Sequence, residues 1–191
     1  MKSLATFLIA ISTAAGLAAP VAMPAAQKKK LDTFFSNFSE ASVAGFKRGA
    51  LTDDAMLQFG LSHLYINSPK SLKKTADGNS VIASAAQVDT ATVKYFGKKI
   101  ATHKQQSYSI PQASGEAFTF SQIDTLDATD KSTFKASGTI YTTGSGGTPD
   151  VHGSPAAWKK AGEEVSAAGK FRALIKLEAD RYILVEYTIE P

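Results

Sequence analysis

Residues 171–189 constrain the fold of this chain most, because two alternating apolar runs there flank a polar turn. The alternating apolar residues are Phe171, Ala173, Ile175 and Leu177 before the turn, and Ile183, Val185, Tyr187 and Ile189 after it. Side chains of a strand alternate between two faces, so both sets reach one core only if odd positions pair with odd positions. This parity predicts a three-residue loop at 179–181, with Asp180 or Arg181 in a left-handed conformation. It excludes a two-residue loop, which would place Glu186 on the side of Ala173.

The composition is typical of one globular domain. The 191 residues are 43% hydrophobic and 20% charged, which is enough apolar material for a single core. The net charge is +4, but apart from residues 28–30 the lysines and arginines are spread along the chain, which disfavours nucleic acid as a partner. There is no cysteine, so disulfides, thiolate metal sites and a cysteine nucleophile are excluded.

Residues 1–26 have the features of a targeting segment rather than of a folded element. Lys2 is followed by an apolar run over residues 4–19 and then by two prolines and small residues. Cleavage after Ala18 and cleavage after Ala26 both remain open. We therefore expect a secreted or periplasmic protein with no stable membrane span once this segment is removed. An uncleaved membrane anchor is the alternative, which the prolines and small residues disfavour.

The first half of the remaining chain has helical spacing. Phenylalanines recur over residues 30–48, which predicts a first helix. Thr52 is a good N-cap for a second helix, which should end before Pro69. Ser84 caps a third helix, 85–96, and Gly97 occupies the position of a left-handed C-cap. The polar residues between the second and third helices predict only a connecting turn, so the three helices follow one another without a strand.

The second half changes to the two-residue period of strands. Residues 117–123 and 133–143 predict two strands joined by a polar loop, and residues 100–110 are ambiguous, with one or two edge strands. Gly138 interrupts the second strand, where a neighbouring phenylalanine ring has space to pack. Residues 156–168 predict a short helix. Helices followed by strands predict one α+β domain at 27–191, with N-terminal helices on one face of a C-terminal antiparallel sheet.

This order of elements resembles the cystatin-like and nuclear-transport-factor-2-like (NTF2-like) group, in which leading helices cover a curved antiparallel meander that ends in a long hairpin. The resemblance implies a cavity between the helices and the concave sheet. The strand that this group usually interleaves between its helices, and the Asp/His pairs of its enzymes, have no match here. A shorter stretch, residues 88–97, is similar to a helix that ends in Lys-Tyr-Phe-Gly in uncharacterised secreted bacterial proteins, and it implies no activity.

The candidate ligand-binding residues are His63, Tyr65, Tyr108 and Trp158. His63 lies near the apolar stripe of the second helix, either as a core histidine or as a general base oriented by Asp53, Asp54 or Asp124. Tyr108 and Trp158 are aromatic contacts for a ligand if exposed, although packing against the sheet is favoured for Trp158. No metal site and no cofactor are expected, because the histidines lack helical metal spacing and the acidic segment 124–130 lacks the order of a calcium loop. His152, in a glycine-rich insert, is expected in solvent.

Each catalytic motif that we sought lacks an obligatory member. The leading hypothesis is therefore a non-catalytic binding protein for an unknown ligand or protein partner. One alternative is an NTF2-like small-molecule enzyme or ligand carrier with a pocket near His63. Another is an interaction or inhibitor module that offers a sheet edge to a partner strand.

Overall fold

The computed structural model describes residues 19–112, 118–144 and 147–191, which form an α+β fold of helices packed on antiparallel sheets. The helices are α1 (Ala25–Glu40), α2 (Asp53–Asn67), α3 (Ala85–Phe96) and α4 (Pro155–Ala161), with a 3₁₀ turn at Pro69–Ser71. The strands are β1 (Ala19–Pro20), β2 (Lys73–Lys74), β3 (Ser80–Ser84), β4 (Ser107–Pro111), β5 (Thr119–Ala128), β6 (Thr133–Thr143), β7 (Val165–Glu178) and β8 (Arg181–Glu190). The predicted fold class, with N-terminal helices ahead of a C-terminal antiparallel sheet, is confirmed.

The strands form two sheets with different partners. The larger sheet has the order β1-β5-β6-β7-β8, and the smaller has the order β2-β3-β4. Helix α1 lies against β5, while α2 and α3 pack on each other and α3 also contacts β8. The helical layer therefore covers one face of the larger sheet, as the C-terminal apolar pattern requires.

Aromatic side chains of α1 fill the space between this helical layer and the sheet. Phe35 and Phe38 are fully buried, and the ring of Phe35 lies 4.4 Å from that of Phe171 on β7. Phe38 stacks at 5.3 Å on Phe59 of α2. Ile175 of β7 is also fully buried. The core thus joins α1, α2 and the C-terminal hairpin directly, and burial of such rings contributes a few kcal/mol each, roughly 2–3 by area.

The predicted helix caps are confirmed. The hydroxyl of Thr52 accepts a hydrogen bond from the Ala55 amide at 3.2 Å. Ser84 and Gln87 form a capping box, in which the Gln87 amide donates to the Ser84 hydroxyl at 3.2 Å and Gln87 Oε1 accepts from the Ser84 amide at 2.9 Å. Gly97 ends α3 with φ of 71°, a left-handed conformation that glycine adopts without steric cost.

The predicted limits of the first helix, 30–48, are wrong at both ends. Helix α1 begins at Ala25 and ends at Glu40, and the chain turns at Ser42, which has φ of 51°, before Phe46 forms a bridge with Tyr187. The Phe46 amide donates to the Tyr187 carbonyl at 2.7 Å, and the Tyr187 amide donates back at 3.0 Å. Pairing with β8 satisfies the backbone of this segment, so residues near Phe46 do not continue the helix.

The expectation of three consecutive helices is also wrong, because β2 and β3 lie between α2 and α3. Strand β3 pairs antiparallel with β4, which forms within the region 100–110 that the sequence left ambiguous. Val81 and Ala83 of β3 are 5% and 0% exposed. This alternation extends over only five residues with serines at both ends, so it is easily read as a polar connection.

The C-terminal hairpin exists, but the predicted three-residue loop is wrong. Glu178 pairs with Arg181, which leaves a two-residue turn, and Ala179 has φ of 54°. Further along, Leu174 pairs with Glu186 and Ile175 pairs with Leu184, so Val185 is an extra, bulged residue. A bulge adds one residue to β8. The residues beyond it therefore face the side of the sheet on which a three-residue loop would have placed them.

The bulge changes which residues of β8 reach the core. Tyr182, Leu184 and Tyr187 are 7%, 2% and 1% exposed and belong to the core, whereas Ile189 is 44% exposed. Ile183 is buried near the end of α3 instead of facing the core with its predicted partners. The prediction that the odd-numbered apolar residues of β8 face the core is therefore correct at Tyr187, beyond the bulge, and wrong before it.

Two other boundaries differ from the expectations. Strand β5 continues through the predicted polar loop to Ala128, with a bulge between Ile123 and Thr125. Helix α4 ends at Ala161, earlier than expected, and β7 begins at Val165. Residues 19–26, which we had assigned to the targeting segment, form β1 and the first residues of α1, while residues 1–18 lie outside the described part of the chain.

Candidate functional site

The four candidate ligand-binding residues lie in three separate places. His63 and Tyr65 are on α2, Tyr108 is on β4, and Trp158 is on α4. Tyr65 is partly buried and packs against the core. The structure therefore does not gather these residues into one site.

His63 is a buried core residue. Its side chain stacks on the ring of Phe59 at 5.6 Å and meets the edge of the Tyr95 ring at 4.8 Å. Burial, with a further contribution from the charge of Lys94, lowers the pKa of His63 from 6.5 to about 4. The imidazole is therefore neutral at ordinary pH.

The surroundings of His63 do not favour general base catalysis. Its Nδ1 lies 3.3 Å from Nδ2 of Asn67, and that amide donates to Oε2 of Glu40 at 3.2 Å. Among the described residues, the hydrogen bonds of the ring therefore include no direct bond to a carboxylate. The three aspartates considered as orienting groups have other partners: Asp53 accepts from two backbone amides at 101 and 102, Asp54 pairs with Lys104, and Asp124 pairs with Lys170. Without an orienting carboxylate, the ring lacks an obligatory partner of a catalytic base.

Tyr108 belongs to a hydrogen-bonded relay and is not an exposed contact. It is 5% exposed, and its hydroxyl lies 2.9 Å from Nδ1 of His103. Nε2 of His103 lies 2.9 Å from Oδ1 of Asp89, which also accepts from the Ile100 amide. The carboxylate only accepts, so Nε2 of His103 donates to it, and in the neutral ring Nδ1 accepts from the tyrosine hydroxyl. The relay connects α3 to β4 through the intervening loop.

Trp158 packs against the sheet, as the sequence favoured, and is 4% exposed. Its ring makes edge-on contacts with Tyr141 at 5.0 Å and Phe120 at 5.4 Å, on the face of the sheet opposite the main core. Its Nε1 donates to the Asp150 carbonyl at 2.7 Å. Neither Tyr108 nor Trp158 is therefore an exposed aromatic contact, which for Trp158 is the outcome that the sequence favoured.

His152 also differs from the expectation, because it lies against α1. Its Nδ1 is buried and lies 3.6 Å from Oδ2 of Asp32, a carboxylate that is 1% exposed. Gln122 holds the segment in place by donating to the carbonyls of Val151 and Gly153 at 2.7 and 2.8 Å. The insert thus closes over the end of the sheet beside Asp32.

A small pocket does form between α1, α3 and the start of β8, and we name it the tyrosine pocket. Its volume is about 180 Å³. It is lined by Lys30, Thr33, Phe34 and Asn37 of α1, Lys94 and Tyr95 of α3, and Arg181 and Tyr182 of β8. It is smaller than the clefts of about 300–1,000 Å³ that hold drug-sized ligands, so it has room for a single ring.

The walls of the tyrosine pocket are aromatic. Phe34 lies at its centre, with its ring 6.0 Å from that of Tyr95 and 6.1 Å from that of Tyr182. All three side chains are less than 9% exposed, so their rings are held by the core. Such pre-positioned rings offer an apolar surface to a flat ligand at little entropic cost.

The rim of the tyrosine pocket is cationic. Nζ of Lys30 lies 5.7 Å from the centre of the Tyr182 ring, and Nζ of Lys94 lies 4.9 Å from that of the Tyr95 ring. Arg181 is the third cation, and none of the described residues that line the pocket is acidic. Cation–π contacts hold the ammonium groups beside the rings, so the pocket combines an apolar interior with a positive edge.

The tyrosines of this pocket can donate hydrogen bonds. Burial, together with the charge of Glu40, raises the pKa of Tyr95 to about 12, so its phenol stays protonated. The Tyr182 hydroxyl accepts from Nε2 of Gln27 at 3.1 Å, which leaves its own proton for another acceptor. Both groups therefore suit an anionic ligand.

The sequence contained part of the signal for this pocket. Lys30, Thr33, Phe34 and Asn37 recur at helical spacing and so share one face of α1. In the sequence, residues 28–30 stand out only as a run of lysines. The contributions of α3 and β8 depend on long-range packing, so no local pattern indicates that Lys94 and Arg181 meet Lys30.

A larger groove of about 830 Å³ lies on the outer face of the larger sheet, and four of its seven charged lining residues are paired with one another. Lys47 bonds Glu186 at 3.2 Å, and Nε of Arg172 bonds Glu190 at 3.1 Å. These exposed pairs leave little net field to select a ligand. The groove has the character of a solvated sheet face.

The outer edge of β5 is covered over much of its length, because side chains of α1 and strand β1 bond to it. The outer edge of β8 is bonded to Phe46 at Tyr187. Backbone groups that are already bonded cannot pair with an added strand. The sheet-edge alternative therefore has little support at β5.

Comparisons with known proteins identify no relative: no family model, no curated protein and no solved structure matches this chain. Within the described residues, no group of three or more potential metal-binding side chains is present. None of the helices described here has both the length and the apolar character needed to cross a membrane.

Proposed function

We propose that this protein is a secreted or periplasmic, non-catalytic binding protein, and that the tyrosine pocket receives a small anionic ligand with a flat apolar body. The observation that carries the proposal is that three cations and three buried aromatic rings line one cavity, with no acidic residue among the described residues of its lining. The leader-like residues 1–18 support export.

The chemistry of the pocket suggests the ligand class. An aromatic carboxylate would place its ring against Phe34 and its carboxylate among Lys30, Lys94 and Arg181. Charge-assisted hydrogen bonds to a carboxylate are about twice as strong as neutral ones, and guanidinium offers a paired donor geometry. The alternative of an NTF2-like ligand carrier with a pocket near His63 points to this same pocket, because Tyr95 also contacts His63. The alternative of an enzyme is not supported by the surroundings of His63.

Benzoate is a suitable probe, with benzyl alcohol as the neutral control of similar shape. For a ligand of this size we expect a Kd on the order of 1 mM for benzoate and much weaker binding of the alcohol. Chemical-shift mapping by nuclear magnetic resonance should place the largest changes at Phe34, Tyr95 and Tyr182. Equal affinity for both probes, or shifts centred elsewhere, would refute the proposal.

A matched pair of lysine variants tests the role of the rim. Lys30→Gln removes a pocket cation, whereas Lys29→Gln removes the neighbouring lysine, which does not line the pocket. We expect Lys30→Gln to weaken benzoate binding about fivefold, the equivalent of about 1 kcal/mol, and Lys29→Gln to leave it unchanged. If both variants weaken binding equally, general surface charge and not the pocket attracts the anion.

A further inference from the structure

The residues immediately after the leader-like segment are part of the folded structure. Ala19 pairs with Ala128 and Pro20 pairs with Asp127 at the end of β5. The Val21 amide continues this pairing by donating to the Leu126 carbonyl at 2.8 Å. The chain is therefore joined to the larger sheet from residue 19 onward.

Two side chains of this segment also contact the core. Val21 and Met23 are partly buried and pack against the main hydrophobic cluster, which includes Leu126 at 2% exposure. Pro24 is the N-cap of α1, and its carbonyl accepts a hydrogen bond from the Lys28 amide at 2.9 Å. A chain that began at Gln27 would lose these contacts and the first helical residues.

Side chains of α1 bond to the first half of the outer edge of β5, and strand β1 pairs with the second half. Near the start of β5, the Ser121 amide donates to the Ser36 hydroxyl at 3.0 Å, and the Ile123 amide donates to Oδ1 of Asp32 at 2.8 Å. Beyond the bulge, these side chains no longer reach, and β1 supplies the hydrogen bonds instead. Loss of residues 19–26 would leave the second half of this edge unpaired, which favours aggregation with other strands.

We propose that the leader is removed by hydrolysis of the Ala18–Ala19 peptide bond, so that the mature chain begins with strand β1. A signal peptidase would add one water across this amide, leaving a carboxyl group on Ala18 and an amino group on Ala19. Gly16 and Ala18 are the small residues that such a cut requires, whereas a cut after Ala26 would put Pro24 at the corresponding outer position. This inference depends on the export in the proposed function.

The test is to express the full chain in a Gram-negative host and to determine the N-terminus of the exported protein by sequencing and intact mass. We expect it to begin at Ala19. Ala18→Leu, which places a large residue at the cut, should abolish processing. Ala26→Leu is the matched control, because Ala26 is exposed at the start of α1 and its enlargement should leave processing unchanged.

The outcomes separate this inference from the proposed function. An exported chain that begins at Gln27, with processing blocked by Ala26→Leu, would overturn the inference and leave export intact. An unprocessed chain that is not exported would overturn both. Benzoate binding by the purified chain is measured independently, so its failure concerns the pocket alone.

Discussion

The ring of Phe171 occupies the space that a side chain at Gly138 would need: a β-carbon there would lie 2.3 Å from Cε1 of Phe171 and 2.2 Å from the Gln122 carbonyl oxygen. The two residues pair directly across β6 and β7. The sequence predicted an open position of this kind at Gly138, and the structure confirms it. The missing side chain allows the Phe171 ring to reach Phe35 of α1.

Gly138→Ala should therefore destabilise the protein, because the added methyl group would overlap a fully buried ring and a backbone atom. We expect a loss of about 2–3 kcal/mol of unfolding free energy, measured by urea denaturation. Ser137→Ala is the control on the neighbouring position, and it should change stability by less than about 0.5 kcal/mol. Equal stability of Gly138→Ala and the wild type would mean that this part of the sheet can move apart.

Tyr187→Phe should keep or increase stability. The Tyr187 hydroxyl is buried without a hydrogen-bond partner among the described residues, and burial raises the pKa of this phenol. Removing an unsatisfied buried polar group while keeping the ring is expected to be neutral or to stabilise by about 1 kcal/mol. Tyr182→Phe is the matched control, because it removes a hydroxyl that is bonded to Gln27 and should cost about 0.5–1 kcal/mol. If Tyr187→Phe lost more stability than Tyr182→Phe, the Tyr187 hydroxyl would not be an unsatisfied buried group.

His63 should make stability fall as the solution becomes acidic. Its pKa is lowered to about 4 in the folded chain from 6.5, so the unfolded chain binds more protons between these values. The stabilisation is present above pH 6.5 and is lost as pH decreases toward 4, with a change of roughly 2 kcal/mol between pH 7 and pH 5. Denaturation curves of the wild type and His63→Gln at both pH values isolate this contribution. A wild-type pH dependence equal to that of His63→Gln would contradict it.

Asp32→Ala should be far more harmful than removal of an exposed aspartate. The Asp32 carboxylate is 1% exposed, bonds Nζ of Lys28 at 2.9 Å and accepts the Ile123 amide at the edge of β5. Its loss leaves a buried amide unpaired, and we expect a cost of about 3 kcal/mol. Asp54→Ala breaks only an exposed pair with Lys104, so it should cost less than about 1 kcal/mol. Thermal unfolding of both variants gives the comparison, and similar midpoints would exclude the proposed role of Asp32.

Local signals predicted the fold well where a few neighbouring residues decide the outcome. Thr52, Ser84 and Gly97 mark helix ends, because a cap depends on backbone groups only two or three residues away. The alternating pattern around Ile175 likewise identified the buried face of β7. These features need little knowledge of the distant chain.

The candidate site was harder to predict, because its residues act through distant partners. Tyr108 and Trp158 are aromatic residues that the sequence singled out, yet the tertiary structure uses one in a relay and the other to cover a sheet face. Lys30 is part of a run of three lysines that carries no local signal of a pocket. Its position beside Tyr182 follows from the packing of α1 on the C-terminal hairpin.

The amino-acid pattern by itself determined the class of fold, the helix caps and the open position at Gly138, because these depend on local backbone geometry and side-chain periodicity. Only the tertiary structure decided the bulge at Val185, the cover of the β5 edge by Asp32 and β1, and the meeting of three cations around Phe34. Each of these joins residues far apart in the chain. Their contacts follow from the shape of the packed core, which no short window of sequence contains.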